Sequence, residues 1–310
     1  MIRAIGRGSP EGSSMPLSTT IPRRPLFAAE SLKRFVPDLR DARYFQMFGQ
    51  ALILAIGLFA REFQISALQM AAVAATCLAA QWFGSFLNAI RFDWKSAAIT
   101  ALSLSLLLRS DQLWPLMAAA AIGIGSKFAI RRQGGHIFNP ANLGIVVMLL
   151  ATDVVWTSTG EWGSALWYAA LIAALGALST WRARRLDVPL VFLGVYGGLL
   201  LVRALYLGDP LAIPALRLTN AALILFAFFM ISDPKTTPED PRRRALFVAL
   251  AAALAYVMQF HFFNSDGIFI APFIVALVAL AIPQKNGADR FEWGAPPRFW
   301  FRTPVRAPAE

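Results

Sequence analysis

The chain has 310 residues, of which 57% are apolar and only 15% charged, with a mean hydropathy of +0.55. A soluble sphere of this size cannot hide so much apolar surface, so lipid is the missing solvent, and no stretch remains for a separate soluble catalytic domain. The net charge of +11 does not point to nucleic acid, because the cations punctuate apolar runs instead of forming one face.

Residues 1–43 are basic and rich in Ser and Pro, with no long apolar core before Tyr44. They read as a disordered cytoplasmic arm; Glu11, Glu30, Asp38 and Asp41 argue against a transit peptide. Ten apolar segments follow, at roughly 44–60, 66–90, 96–108, 112–130, 139–152, 163–180, 188–206, 217–232, 244–263 and 267–284. No strand-like alternation of useful length appears. The expected fold is therefore all-α: a polytopic membrane domain over 44–284 with about ten transmembrane helices. The stretch 285–310 reads as a cytoplasmic or interfacial tail, with Trp293, Phe299, Trp300 and Phe301 set among cations and prolines. An even count also permits two five-helix repeats of inverted topology, and the short segments 96–108 and 139–152 suggest broken helices lining a protein cavity.

Charge fixes the expected orientation. Of the 29 Lys and Arg residues, 25 fall on one side of an alternating ten-segment path, and only Arg61, Arg109, Arg203 and Arg217 fall on the other. That asymmetry puts both termini in the cytoplasm and the chain in the bacterial plasma membrane. Trp82, Trp94, Trp114, Trp156, Trp162, Trp167 and Trp181 stand near segment ends, where indole rings favour the headgroup region. Gly123, Gly125, Gly194, Gly197 and Gly198 are expected to permit close helix packing. Asn88, Asp93 and Lys95 could form a polar cytoplasmic rim, and Asp153 with Glu161 an acidic exterior loop that attracts cations or simply reflects topology. His261 reads as interfacial. One cysteine, Cys77, and two histidines, His136 and His261, are too few for a structural metal or an iron–sulfur cluster.

Two polar interruptions carry what chemistry there is. The first runs from Lys127 to Asn142; Gly134-Gly135 allows a turn, Asn139 suits an N-cap and Pro140 the first helical position. A helix start flanked by Lys127, Arg131 and Arg132 attracts anions, although ordinary capping plus topology-setting charge explains it equally well. His136 beside it could shuttle a proton, contact a flavin or simply be solvated. The second interruption is Ser232-Asp233-Pro234-Lys235-Thr236, where Asp233-Pro234 repeats the cap-then-proline order; Asp233 could equally pair with Lys235 or an arginine. Both lie on the cytoplasmic side of the expected topology.

These pieces, His136-Ile137-Phe138-Asn139-Pro140-Ala141 with Gly144, and Ala227-Phe228-Phe229-Met230-Ile231-Ser232-Asp233-Pro234 with Thr236, resemble one membrane-protein family. It comprises the D subunit of the Rnf electron-transport complex and the B subunit of the sodium-translocating NADH:quinone reductase. The resemblance spans about 44–284 and implies an integral subunit of an ion-translocating electron-transport complex, with other membrane and soluble electron-transfer subunits as partners. It implies a flavin near Lys127, Arg131, His136, Asn139, Asn142, Asn220, Asp233, Lys235 and Thr236. In the family, a Ser-Gly-Ala-Thr motif esterifies FMN about ten residues before the Asp-Pro pair. Here that stretch reads Asn220-Ala221-Ala222-Leu223, with Thr219 just upstream. Leucine has no hydroxyl, so covalent FMN is not expected; a non-covalent flavin (FMN or riboflavin) and a member that has lost redox work both stay open. No nucleotide-binding glycine motif is present, so this chain alone should neither oxidise NADH nor hydrolyse ATP. Two other readings stay open: a small-solute transporter or channel, and a membrane accessory of a biosynthetic (enediyne-type) gene cluster. A water channel is disfavoured, because Asn139-Pro140-Ala141 has no second copy and the segment count is ten.

Overall fold

The computed structural model describes residues 41–281, apart from Gln133 and Gly134. Of the expected arm 1–43, residues 1–40 lie outside the described residues, as does the tail from 285, while Asp41 to Arg43 are not disordered but cap and open the first helix. Helices occupy Ala42–Ala60 (α1), Ala67–Leu87 (α2), Trp94–Leu107 (α3), Leu113–Ala129 (α4), Pro140–Ala151 (α5) and Leu166–Arg182 (α6). Asp187–Leu207 (α7), Ala212–Leu218 (α8), Ala221–Leu225 (α9), Pro241–Phe260 (α10) and Gly267–Ala281 (α11) complete the set. Two short antiparallel ladders join Leu108–Arg109 (β1) to Trp156–Thr157 (β4), and Arg131–Arg132 (β2) to Gly135–His136 (β3). The described chain is all-α apart from these two-residue ladders.

Nine of the apolar segments each overlap one helix, while 217–232 takes in the end of α8, a break, α9 and the turn after it; the caps show why the helices begin where they do. Asp41 accepts from the Arg43 amide at the start of α1. Ser66 and Gln69 form a reciprocal capping box on α2, and Asp240-Pro241 opens α10 as an N-cap followed by proline. Gly208 ends α7 with a positive φ of 73°, a conformation a side chain would oppose.

By length and composition, α1, α2, α7 and α10 can cross a bilayer; α8 and the stretch Ala221–Met230, bent by 49°, form either a broken fifth span or a re-entrant loop. Helices α3, α4, α5 and α11 are shorter apolar helices. The 12 residues of α5 rise only about 18 Å, against roughly 30 Å of hydrocarbon, so α5 cannot cross alone. The chain is a multi-pass membrane protein, and the shortest of those four apolar helices, α5, packs on α4, α11 and α3.

Its centre is the segment 221–231, in which every residue is buried. An element apolar on all sides belongs inside a bundle. Here α9 runs into a wider π turn over Phe226–Met230, where the Ile231 amide reaches back to the Phe226 carbonyl at 3.1 Å. Helices α6 and α7 pack along it.

Glycine packing differs from expectation. A Cβ on Gly123 would meet the Pro140 carbonyl oxygen at 2.3 Å, and one on Gly144 the Ala119 carbonyl oxygen at 2.3 Å, so α4 and α5 cross backbone to backbone. Gly197 abuts Leu218, but Gly125, Gly194 and Gly198 have open space and serve no such contact. Trp162 is likewise no interfacial ring. It is fully buried and donates its indole N–H to Ser158 Oγ at 2.8 Å, whereas Trp82, Trp94, Trp114, Trp156, Trp167 and Trp181 are exposed.

Candidate functional site

The α4–α5 connection folds as the β2–β3 hairpin, with Arg131 opposite His136. The hairpin delivers the chain to Asn139, whose Oδ1 accepts the Asn142 amide at 3.1 Å and caps α5. The other end of the Asn139 amide does something no local pattern signals. Its Nδ2 donates to the Met230 carbonyl at 3.1 Å and lies 3.5 Å from Asp233 Oδ2. A widened turn leaves main-chain groups outside the regular ladder, and at Met230 the free carbonyl is taken up by this side chain. Asn142 makes a parallel link, from its Nδ2 to the Phe269 carbonyl of α11 at 2.9 Å.

Asp233 does not open a helix, and here the expectation from Asp233-Pro234 is corrected. Its carbonyl accepts the amides and hydroxyls of both Thr236 and Thr237, and its Oδ1 accepts the Lys235 amide at 3.0 Å. Five donors directed onto one residue close a tight turn, and the next helix waits for Asp240-Pro241. His136 Nε2 stands 3.7 Å from Asp233 Oδ2, an ion-pair separation too long for a hydrogen bond, and has no hydrogen-bond partner of its own. Burial raises the tendency of the Asp233 carboxylate to protonate, but His136 beside it and the Lys235 amide and charge outweigh that, leaving its pKa below the usual carboxylate range.

Two clefts meet at Asn139. One is polar, lined by Arg43, Ser96, Thr100, Ser103, His136 and Asp233 among others, and has room for a few water molecules, about 40 Å³. The other is mostly apolar, between Phe138, Phe226, Phe247 and Phe273, and is of similar size at about 30 Å³. The carboxamide oxygen of Asn142, which borders it, is buried without a partner.

The remaining predicted residues divide. Lys127 Nζ donates to Gln81 Oε1 at 2.5 Å and Ser96 Oγ at 2.8 Å, so its contacts are to α2 and α3. Arg131 is exposed on the hairpin, and Arg132 caps α11 through the Ala279 and Leu280 carbonyls. Lys235 is exposed at the turn, and Thr236 lies beneath it beside the apolar cleft. Asn220 is not brought to this cluster: it caps α9 at the far end, accepting from the Ala222 and Leu223 amides. About 15 Å of helix separates it from Met230. So the break in the second half lies at Thr219-Asn220 rather than at Asp233-Pro234.

Leu223 is buried and offers no oxygen, and the Thr219 hydroxyl is engaged with the Leu216 carbonyl at 2.9 Å. Each of the two clefts has room for a few waters.

Sequence reasoning missed the opposite end of the bundle. Arg109, fully buried, pairs with Glu161 at 2.9 Å and donates to the Ser105 and Leu108 carbonyls. Ser158 Oγ donates to the Leu106 carbonyl, and the Ala221 amide at the head of α9 to the Gly163 carbonyl. Glu161 is thus the counter-ion of a buried guanidinium, not part of a cation-attracting loop. The rim at the other side is built mainly from Asp41, Arg43, Asp93 and Lys95, joined by ion pairs at 2.8 Å, while Asn88 bonds only its own helix. Burial raises the Asp41 pKa, but the Arg43 and Lys95 hydrogen bonds dominate and hold it down at about 2.

Part of the chain is similar in sequence to known proteins. Residues 152–285 match the family described as "NQR2, RnfD, RnfE family". A protein of Yersinia pseudotuberculosis, named as the D subunit of an ion-translocating oxidoreductase complex, is 32% identical over 109 residues, 35% of this chain and 30% of that protein. A protein of the same name from Escherichia coli O1:K1 is 32% identical over 124 residues, 40% of this chain and 33% of that one. The aligned stretch thus spans about a third of the length of these relatives. The family match takes in α9, its π turn and the Asp233 turn, while Asn139 lies outside it.

Proposed function

Starting from a chain that is a relative of the NQR2, RnfD, RnfE family over residues 152–285, we propose that it is an integral subunit of an ion-translocating electron-transport complex of the plasma membrane. In this reading the ten apolar segments form ten membrane-embedded elements, the short ones spanning only with their neighbours. Both termini face the cytoplasm, and two five-element halves are arranged in opposite senses. Its partners are membrane and soluble electron-transfer subunits. The observation that carries the reading is the tie from Asn139 to Met230 and Asp233, because it fastens the family-matched segment to the N-terminal half around one polar cleft.

The polar cleft suits water, a proton or a small hydrated cation. Asp233 is ionised there at neutral pH, with Ser96, Thr100, Ser103 and the Asn139 amide as further oxygens and donors. The chain carries no covalent FMN, because Leu223 stands where the acceptor hydroxyl belongs. A flavin at this subunit is held without a covalent bond at the cytoplasmic mouth, between subunits, where Lys235 offers charge to a phosphate. Such a group supplies electron transfer; the chain's own residues supply the anchor and the polar lining.

The test is an absorption spectrum of the complex, purified with its co-expressed neighbouring subunits, before and after acid precipitation of this chain. Yellow chromophore released into the acid supernatant is the expected result. Chromophore retained on the precipitated chain contradicts the Leu223 argument, and a complex with no flavin absorbance contradicts the electron-transport reading.

A further inference from the structure

Four cations lie on the side of the membrane that the charge distribution leaves poor in them, and they are not treated alike. Arg109 is neutralised by Glu161, and Arg61 donates to the Trp162 carbonyl at 3.2 Å. Arg203 on α7 and Arg217 on α8 have no acidic partner among the described residues. Both instead converge on the Phe260 ring at the end of α10, with guanidinium carbons 5.2 and 4.9 Å from its centroid. The two cations therefore stand no more than about 10 Å apart.

A ring face attracts a cation, yet one ring shared by two guanidiniums leaves their mutual repulsion uncompensated. What removes it is an anion between them. The distances to the ring set only the upper limit of the span, and within it one phosphate can accept charge-assisted hydrogen bonds of about 2.8 Å from each fork. Around the pair the surface is greasy: Val202, Leu205, Leu211 and Leu216 are exposed, and Tyr206 is 88% exposed. A soluble anion satisfies the charges without being joined to the lipid that covers those side chains. A diacyl phospholipid satisfies both, with its acyl chains along α7 and α8.

We infer that Arg203, Arg217 and Phe260 form a clasp for the headgroup phosphate of an anionic phospholipid. By the topology proposed above it faces the outer leaflet, though the site itself does not depend on the electron-transport reading. Phe260 acts as the positioning residue, holding both guanidiniums over one spot. An acidic segment of a partner subunit would meet the charges equally, and the lipid titration distinguishes the two.

The test titrates the full-length detergent-purified chain with phosphatidylglycerol and with phosphatidylcholine, read by native mass spectrometry. The wild type should retain phosphatidylglycerol preferentially. R203Q/R217Q should bind it about 30-fold more weakly, taking each arginine at its usual contribution near a charged lipid surface, while phosphatidylcholine binding is unchanged. R203K/R217K should keep most of the preference. Equal retention of the two lipids by the wild type, or unchanged phosphatidylglycerol binding by the double variant, overturns the inference. So does a double variant that binds lipid normally but no longer co-purifies its partner subunits. Should R203Q/R217Q fail to fold, phenylglyoxal modification of the wild type in nanodiscs decides: slower modification of Arg203 and Arg217 in phosphatidylglycerol than in phosphatidylcholine supports the clasp, and equal rates overturn it.

Discussion

Asn139 caps α5 with one end of its carboxamide and, with the other, donates to the main-chain carbonyl of Met230, 91 residues further along the chain. One side chain thus starts a short helix and finishes a distant one. Because the two ends need an acceptor and a donor respectively, neither Asp nor Ala replaces it. Asn139→Ala should lose the cap and strand the Met230 carbonyl, at a cost of about 2 kcal/mol in all. Asn139→Asp keeps the cap but turns an acceptor toward the Met230 oxygen and the Asp233 carboxylate. We expect it to lower the melting temperature of the detergent-purified chain at least as much as Asn139→Ala. A melting temperature within a degree of wild type for the aspartate variant would show that the tie is not made.

The buried ion pair at the opposite end is a separate test of the packing. Arg109 is 1% exposed, so removing its counter-ion leaves a charge with nowhere to go. Glu161→Ala should destabilise by about 3–5 kcal/mol, far more than a surface pair, as read by thermal unfolding in detergent. Glu161→Gln, which retains shape and an acceptor, should fall between the two.

Where α4 crosses α5, the backbones touch through Gly123 and Gly144. Gly144→Ala drives a methyl group against the Ala119 carbonyl, which is main chain and cannot swing aside. A loss of about 1–3 kcal/mol is expected, whereas Gly194→Ala, with open space around it, should be nearly neutral. The comparison of the two variants in one thermal-shift assay checks this directly.

Asp41 gives a pH signature. Its carboxylate is held at about 2 by Arg43 and Lys95, below the value of roughly 3.9 it has when unfolded. A depressed pKa means the folded state favours the ionised form, so its contribution is complete above about pH 4 and is lost as pH falls toward 2. Wild type should therefore be more stable than Asp41→Asn at pH 6, with the gap narrowing below pH 4. A gap that widens on acidification would mean that the folded state favours the protonated acid instead.

Much of the architecture could be read from residues in isolation. Apolar runs between cations mark helices because lipid leaves no other option, and Asn139-Pro140 marks a helix start because cap and proline act within four residues. What could not be read depends on distant partners. The acceptor for Asn139 is a backbone carbonyl, which has no residue identity to recognise. Asp233-Pro234 looks like a second helix start, but the two threonines behind it offer four donors and win the carbonyl for a turn. The real break, at Asn220, is followed at once by apolar residues and so resembles the interior of a segment. Glu161 and Arg109 are 52 positions apart, and the β1–β4 ladder just before Glu161 brings the two segments together.

The central claim, a chain threaded so that its cation-rich turns share one face of the membrane, is open to a single measurement. Cys77 is buried, so single cysteines introduced into a Cys77→Ala background at Arg184, Lys235, Asp209 and Asn264 can be labelled with an impermeant maleimide in intact cells and in inverted vesicles. The account predicts labelling of positions 184 and 235 only from the cytoplasmic face, and of 209 and 264 only from the outer face. Positions 184 and 235 reacting from opposite faces would contradict it.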